Sequence, residues 1–245
     1  MKLTEHIYLA GSGCMGLSAP GDCNIYAVES GGEILLIDCG LHPTQERLLD
    51  NLREDGLNPD RIRGVLLTHV HPDHSGGVPF FQKMGIPVMG SGESDRVLRR
   101  GIREVYQMDR LPPSGFRDFF CGTPRGKLDR ILQPGEHIRF GALELEMIPT
   151  PAHTVDSVCY LLRLGEKKHL FTGDTLFYPG HINYFMSPLS CAEHYPETIR
   201  KLAELAPDGL YPGHALFVVD GAQRCTQTAL EAIERGVLPP LKPYS

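Results

Sequence analysis

The sequence predicts a mixed α/β protein in which two β-sheets pack together and carry helices on their outer faces. Two observations lead to this fold class. Strand-like runs in the first forty residues are joined by a tight glycine turn, which is typical of antiparallel hairpins. Helical patterns come between and after the later strands, so a purely parallel sheet is not expected. The length of 245 residues suits a single domain over 1–245.

The first half of the chain alternates strands with short helices. Residues 24–40, NIYAVESGGEILLIDCG, predict two strands joined at Gly31 and Gly32. Pro43 then opens a predicted helix, PTQERLLDNLREDG, with this proline in its first turn and Gly56 near its end. A buried strand, a short helix and a short strand follow in RIRGVLLTH, HSGGVPFFQKMG and IPVMG.

Strands dominate the second half until two helices close the chain. The runs EHIRF, LELEMIP, SVCYLLRL and KHLFTGD each predict a strand. The run CAEHYPETIRKLAELA predicts a helix, because Ile199, Leu202, Leu205 and Ala206 fall on one face. A short strand, GLYPGH, and a last helix, AQRCTQTALEAIERG, complete the predicted elements.

Residues 93–130 are the least sheet-like stretch, and we predict a helical insertion that Pro112 and Pro113 interrupt. The stretch has nine Lys or Arg residues and six Asp or Glu residues, whereas the whole chain has a net charge of −6. An insertion that covers the substrate cleft would favour anionic substrates, and Arg99 and Arg103 are the candidates for that contact.

The composition argues against several classes of protein. Hydrophobic residues make up 41% of the chain and charged residues 22%, as in ordinary globular proteins. Since the pI is about 6.0, a nucleic-acid partner is not expected. The chain has neither a long apolar run nor a signal-peptide pattern, so we expect a cytoplasmic protein without membrane contact. Seven cysteines without a CxxC pair predict a reduced state.

Residues 68–74, Thr-His-Val-His-Pro-Asp-His, place four metal-ligand side chains directly after an apolar strand. Alternate residues of an extended segment face the same way, so His69 and His71 can converge on one ion. Pro72 then forces a turn that aims Asp73 and His74 at a neighbouring point. Imidazole and carboxylate ligands together suit Zn²⁺, iron or Mn²⁺, and histidine-rich sites favour zinc.

Further ligand candidates stand where later strands give way to loops. His153 follows LELEMIPTPA, Asp174 ends HLFTGD, and His214 ends GLYPGH. Strand ends are common places for functional side chains on a rigid scaffold. A lone histidine at such a place is more often structural, but the joint pattern favours a metal site.

This set of motifs, in this order, resembles the metallo-β-lactamase-fold hydrolase superfamily, in a branch similar to glyoxalase II and the lactonases. The resemblance implies a four-layer αββα sandwich with a dinuclear metal site at one edge. It implies that one ion is held by His69, His71 and His153. It implies that the other ion is held by Asp73, His74 and His214, and that Asp174 bridges the two.

The resemblance also covers Asp38 in LLIDCG, the family's early aspartate, which is expected to support the ligands by hydrogen bonding. The positive charge of two divalent ions exceeds the combined negative charge of Asp73, Asp174 and a bridging hydroxide by one unit. That excess lowers the pKa of the bridging water toward ~7, so the hydroxide can attack a carbonyl or phosphoryl centre at neutral pH. Asp73 is the catalytic candidate that orients this hydroxide and later helps to protonate the leaving group.

Residues 11–16, Gly-Ser-Gly-Cys-Met-Gly, satisfy the pattern GxGxxG, but LSAPGDC follows where a dinucleotide site requires a helix. We therefore expect a flexible loop near the metal cleft, with Cys14 and Met15 as candidates for substrate contact. The other candidates for substrate contact are Phe177, Tyr178 and His181.

Details of the motifs restrict the choice among the reactions that this superfamily catalyses. β-Lactamases generally lack the aspartate found here as Asp174, and hydroxyacylglutathione hydrolases have Cys-Gly-Arg where this chain has Pro179-Gly180-His181. We predict a hydrolase that acts on a small ester, thioester or lactone. The sequence is compatible with an anionic substrate and with a homodimer, but it establishes neither. The alternatives are a phosphodiesterase of the same fold and a mono-iron enzyme similar to the persulfide dioxygenases.

Overall fold

The computed structural model describes residues 1–110, 112–121, 123, 125–184 and 191–241. Its contacts divide the chain into two compact units. The N-terminal unit comprises Met1–Gln133 and Arg139–Ala142, and the C-terminal unit comprises Pro134–Ile138 and Leu143–Ser245. Within the described ranges, no helix is both long enough and apolar enough to span a membrane.

A six-stranded mixed sheet forms the centre of the N-terminal unit. In sheet order its strands are β1 (Ile7–Gly11), β2 (Ile25–Ser30), β3 (Glu33–Ile37), β4 (Ile62–Leu66), β5 (Val88–Ser91) and β6 (Arg130–Leu132). The first three strands are antiparallel neighbours, and β3 to β6 run parallel to one another. The parallel strands therefore end at a common edge of the sheet.

The predicted hairpin is confirmed as β2 and β3, which pair from Tyr26 with Ile37 to Ser30 with Glu33. Gly31 and Gly32, the two turn residues, have φ angles of +60° and +81°. Glycine adopts such angles without a clash of Cβ, which is why this dipeptide connects twisted antiparallel strands well.

The first helix differs from its prediction at its start. Helix α1 spans Gln45–Glu54 and begins two residues after Pro43, so this proline is not in its first turn. Thr44 instead belongs to the preceding turn, because its hydroxyl shares its one hydrogen between Leu41 O (2.7 Å) and Asp22 Oδ2 (3.1 Å).

Five short α-helices follow in the described part of the N-terminal unit: α2 (Pro72–Ser75), α3 (Val78–Lys83), α4 (Gly92–Arg100), α5 (Ile102–Val105) and α6 (Gly115–Cys121). Ser91 caps α4, since its hydroxyl accepts a hydrogen bond from Ser94 N at 3.0 Å. The stretch 93–130 is thus mainly helical, but Arg130 already belongs to β6, a strand that the sequence analysis does not predict.

A five-stranded sheet forms the centre of the second half of the chain, in the order β11-β10-β9-β8-β7. Its strands are β7 (His137–Phe140), β8 (Leu143–Pro149), β9 (Val158–Leu164), β10 (Lys167–Gly173) and β11 (Gly209–Pro212). Strand β9 is antiparallel to β8 and to β10, and β11 is parallel to β10. Consequently β8, β10 and β11 run in one direction and end at the same edge.

Helices α7 (Tyr195–Leu205) and α8 (Gln223–Glu234) complete the C-terminal unit. Ile199 and Leu202 of α7 are fully buried in a core with Leu161 and Leu170, which agrees with the predicted apolar face of this helix. Burial of each such side chain contributes roughly 1.5–3 kcal/mol. Ala206 lies beyond the helix in a left-handed conformation (φ +47°), so it ends α7 rather than extending that face.

Candidate metal centre

Two parallel strands bring the first group of candidate ligands together in the N-terminal unit. Asp38 directly follows β3, and Thr68 and His69 follow β4, its parallel neighbour. The backbone N–H of Asp38 donates to Leu66 O at 2.8 Å, which fixes the carboxylate beside the end of β4.

The segment from His69 to His71 is extended, and the chain turns into a helix at the next residue. His71 has φ −64° and ψ +150°, and Pro72 is the first residue of α2. A proline suits this position because its fixed φ matches the helix and its missing N–H is not needed there. The extended segment brings His69 Nε2 within 3.0 Å of His71 Nδ1.

Asp38 determines the orientation of His74. One carboxylate oxygen accepts hydrogen bonds from His74 Nδ1 and Thr68 Oγ1, both at 2.8 Å, and the other accepts from Thr68 N at 2.7 Å. Because a carboxylate only accepts, Nδ1 carries the proton and Nε2 is left deprotonated. His74 Nε2 lies 3.6 Å from Asp73 Oδ2, so an imidazole nitrogen and a carboxylate oxygen face each other.

The same chain of hydrogen bonds extends to His69. Thr68 Oγ1 gives its proton to Asp38 and lies 3.1 Å from His69 Nδ1, which therefore donates to it. His69 Nε2, the atom that faces His71, is then the deprotonated nitrogen. One carboxylate and one hydroxyl thus prepare two imidazoles to bind a cation.

The C-terminal unit assembles its own group of candidate ligands from three strands. His153, Asp174 and His214 each follow the end of a strand, namely β8, β10 and β11. The two carboxylate oxygens of Asp174 face different histidines, with His153 Nε2 at 3.7 Å from one and His214 Nε2 at 3.6 Å from the other. A single carboxylate therefore lies between two imidazoles.

Asn183 supports this second group. Its backbone carbonyl accepts a hydrogen bond from His153 Nδ1 at 2.8 Å, which leaves His153 Nε2 deprotonated. Its side-chain amide donates to Asp174 Oδ2 at 3.2 Å. The Tyr195 hydroxyl also donates to Asn183 O, and burial raises the pKa of that hydroxyl well above its usual value, so it remains a donor.

Six of the seven predicted ligands are buried, and His214 is partly exposed. A buried carboxylate is costly unless opposite charge or hydrogen bonds compensate it. Groups of imidazoles and carboxylates of this kind are suited to cations, because a bound cation removes that cost.

The sequence analysis does not identify Asn183, Tyr195 or two aromatic residues beside His71. Phe120 of α6 contacts the His71 ring edge-on with ring centroids 4.7 Å apart, and the Tyr106 ring lies 6.4 Å away. The stretch 93–130 therefore packs directly against one of the candidate ligands. No pattern in the sequence identifies these residues, because their role depends on tertiary contacts.

Asp22 is another residue without a sequence signal. It is buried, and its carboxylate accepts hydrogen bonds from Leu41 N (2.8 Å) and Thr44 Oγ1 (3.1 Å). Burial raises the pKa of Asp22, with the Asp73 carboxylate adding a smaller effect in the same direction. Asp22 thereby connects the loop after Asp38 to the segment before β2.

The predicted substrate-contact residues have different environments. Cys14 is exposed and Met15 is 38% exposed, in a turn that opens no helix, so the dinucleotide interpretation is excluded. Tyr178 is 48% exposed and His181 is partly exposed, whereas Phe177 is completely buried and offers no surface to a ligand. Phe177 instead pairs with His181 through backbone hydrogen bonds.

Arg99 and Arg103 are exposed but paired with acidic residues of their own segment. Arg99 Nε donates to Asp95 Oδ2 at 2.6 Å, and Arg103 Nε donates to Asp109 Oδ1 at 2.9 Å. These ion pairs reduce the positive field that the two guanidiniums offer to an anion.

Two sheets whose strand ends carry imidazole and carboxylate groups define a metal-dependent α/β protein. The chain belongs to the metallo-β-lactamase superfamily, whose family model matches residues 18–214. It is a metal-dependent hydrolase of that superfamily, as the resemblance predicts.

Two curated relatives illustrate the similarity. The acyl-coenzyme A thioesterase MBLAC2 of Gallus gallus is 31% identical over 229 residues, which cover 86% of this chain and 78% of the relative. The hydroxyacylglutathione hydrolase GloC of Haemophilus influenzae is 32% identical over 183 residues, which cover 73% of this chain and 79% of the relative.

Solved structures confirm the predicted fold class. A metallo-β-lactamase family protein from Thermus thermophilus superposes with a TM-score of 0.73 and 24% identity, covering 96% of this chain and 81% of that one. A subclass B3 metallo-β-lactamase of Bradyrhizobium japonicum has a TM-score of 0.71 and 19% identity, covering 96% and 92%. At these identities the similarity concerns the fold alone.

Proposed function

We propose that this protein is a dinuclear metal-dependent thioesterase. The observation that carries the proposal is the Asp174 carboxylate, which has one imidazole facing each of its oxygens. Such an arrangement is suited to a carboxylate shared by two cations. The curated relatives add the substrate class, because an acyl-coenzyme A thioesterase and a hydroxyacylglutathione hydrolase both cleave an acyl–sulfur bond.

The distances within each group suit metal ligands. Two ligand atoms that are each about 2.1 Å from a tetrahedral Zn²⁺ ion lie about 3.4 Å apart. The separations of 3.6 Å between His74 and Asp73, and of 3.6 and 3.7 Å around Asp174, are close to this value. Because His69, His74 and His153 present deprotonated Nε2 atoms, no proton has to be displaced from these three side chains before an ion binds.

The proposal assigns His69, His71 and His153 to one ion, and Asp73, His74 and His214 to the other, with Asp174 shared. Zn²⁺ is the proposed metal, since imidazoles outnumber carboxylates among the ligands. Asp38 is a positioning residue, because it acts on the site through His74 and Thr68.

When bound, such ions activate a water molecule for attack and polarise the carbonyl oxygen of the substrate. The residues of the chain have the remaining tasks. Asp73 would accept a hydrogen bond from the attacking water and take its proton as the oxygen bonds to the carbonyl carbon. It would then pass this proton to the departing sulfur as the carbon–sulfur bond breaks. A thiol with a pKa of about 8.5 leaves readily as a thiolate, so the reaction needs no stronger general acid.

The test combines metal analysis with a substrate panel. We expect purified protein supplied with zinc to hold two ions per chain and to hydrolyse acyl-coenzyme A thioesters faster than p-nitrophenyl acetate, a lactone or bis-p-nitrophenyl phosphate. Preferential cleavage of the phosphodiester would assign the protein to the phosphodiesterase alternative. One iron per chain together with oxygen uptake would assign it to the mono-iron class.

A further inference from the structure

The N-terminal unit contains a cavity of about 480 Å³, which is within the range of small-molecule binding sites. Its wall is mostly apolar and includes Leu41, Pro72, Pro79, Phe80 and Phe119. We propose that this cavity binds the apolar acyl group of the thioester substrate. The inference rests on the proposed thioesterase function and specifies the part of the substrate that the protein selects.

No candidate ligand is among the described residues that line the cavity, but the cavity adjoins the segment that carries two of them. Pro72, in its wall, stands between His71 and Asp73 in the chain. Gly76 follows α2, and Pro79, Phe80 and Lys83 belong to α3, so both short helices contribute to the lining. This part of the lining therefore continues along the chain from Pro72 to Lys83.

Another part of the lining is connected to a candidate ligand. Phe119 belongs to α6, and the neighbouring ring of Phe120 contacts both Phe119 (centroids 5.3 Å apart) and His71 (4.7 Å). Phe119 is 39% exposed, which leaves a large apolar surface uncovered at the cavity. An acyl chain placed there would bury this surface.

The charge of the lining favours an apolar occupant over a charged one. Among the described residues that line the cavity, Lys83 alone has a permanent charge, and it is the last residue of α3. Its long side chain is exposed, so its ammonium group stays in water while the stem adds apolar surface. The rest of the lining offers few groups to pair with a charged substrate.

The absence of tryptophan from the chain allows a direct binding test. We would replace Phe119 with tryptophan (F119W) in the zinc-loaded protein and titrate its fluorescence with straight-chain alcohols from butanol to octanol. These probes carry no carboxylate or thioester, so their binding reports the cavity and not the metal site. Met84→Trp is the matched control, because Met84 is exposed close to Lys83 but does not line the cavity.

We expect a saturable signal for Phe119→Trp, with affinity rising about threefold to fourfold for each added CH₂, and no saturation for Met84→Trp. No saturable signal, or an affinity independent of chain length, would overturn the inference. Either result is independent of catalysis, so it does not depend on whether the protein hydrolyses thioesters.

Kinetics then connect the cavity to the reaction. We expect kcat/KM to rise from acetyl- to octanoyl-coenzyme A, and the octanoyl-to-acetyl ratio to fall at least tenfold in Phe119→Asp but not in Met84→Asp. An unchanged ratio in Phe119→Asp would overturn the inference while leaving thioesterase activity in place. Hydrolysis of no thioester at all would instead contradict the proposed function.

Discussion

The two groups of candidate ligands are built in different ways. In the N-terminal unit, four of them lie within six consecutive residues after one strand, from His69 to His74. In the C-terminal unit, three of them are spread from His153 to His214 and follow three strands. The first group is positioned by local chain geometry, whereas the second depends on the order and direction of the strands in a sheet.

Their supporting residues differ as well. Asp38, a carboxylate, holds His74 and Thr68, while the C-terminal group is held by Asn183 through a carbonyl and an amide. A charged acceptor increases the basicity of its histidine more than a neutral carbonyl does. The comparison suggests that the N-terminal group depends strongly on one side chain and that the C-terminal group depends on backbone positions.

The largest effect is expected where one side chain serves both histidines of the C-terminal group. We expect Asp174→Ala to abolish thioester hydrolysis and to lower the metal content, because the shared carboxylate is lost. Mass spectrometric metal analysis and a thioester assay provide the measurement. Asp220→Ala, which removes an exposed carboxylate paired with Lys167, is the control and should retain both properties. Normal metal content in Asp174→Ala would show that the two histidines bind ions without it.

The supporting residues should differ in importance by a measurable factor. We expect Asp38→Asn to weaken metal affinity by about 10- to 100-fold, because the charged partner of His74 is lost. Asn183→Ala should have a smaller effect, since the backbone carbonyl that holds His153 remains. Competition with a chromophoric chelator measures both. Equal losses in the two variants would refute the distinction drawn between the groups.

A third experiment asks whether the segment that packs on His71 also acts through charge. We expect the double variant Arg99→Gln, Arg103→Gln to raise KM for anionic thioesters on the order of threefold and to leave KM for neutral ones unchanged. The effect is small because each guanidinium is already paired with an aspartate. Arg96→Gln, which breaks an exposed ion pair in the helix that carries Arg99, is the control. Equal changes for both substrate types would exclude electrostatic attraction.

The smallest effect concerns the reactivity of thiols in the two units. Cys14 is exposed in the N-terminal unit, whereas burial raises the pKa of Cys159 in the C-terminal core to about 12. We expect a disulfide reagent at pH 8 to modify Cys14 rapidly and Cys159 only after unfolding, because the thiolate is the reactive form. Peptide mapping at timed intervals measures this order. Early modification of Cys159 would indicate that the core opens readily.

The regular elements could be predicted where the side-chain pattern reports burial directly. The β2–β3 hairpin has its glycine pair, and helix α7 has its apolar face. Strand β6 has no such signal, because it is only three residues long and two of them are exposed. The start of α1 was also misplaced, since Thr44 is held by hydrogen bonds to Leu41 and to the distant Asp22.

The candidate ligands could be named from sequence because all of them are histidines or aspartates close to strand ends. The residues that contact these ligands could not be identified from the sequence. Asn183 contributes a backbone carbonyl, which every residue possesses, and Phe120 contributes a ring that is indistinguishable in sequence from any core aromatic residue. A role that depends on which atoms meet after folding leaves no local pattern in the chain.

Asp38 has a left-handed backbone conformation, with φ +64°, which glycine or asparagine adopts with less strain. Replacement by glycine would relieve this strain, but it would leave the buried Thr68 N and His74 Nδ1 without the acceptor that holds them. The strain at this one residue therefore lowers the free energy of unfolding by on the order of 1 kcal/mol, and the protein keeps it at a position whose side chain supports the candidate ligands.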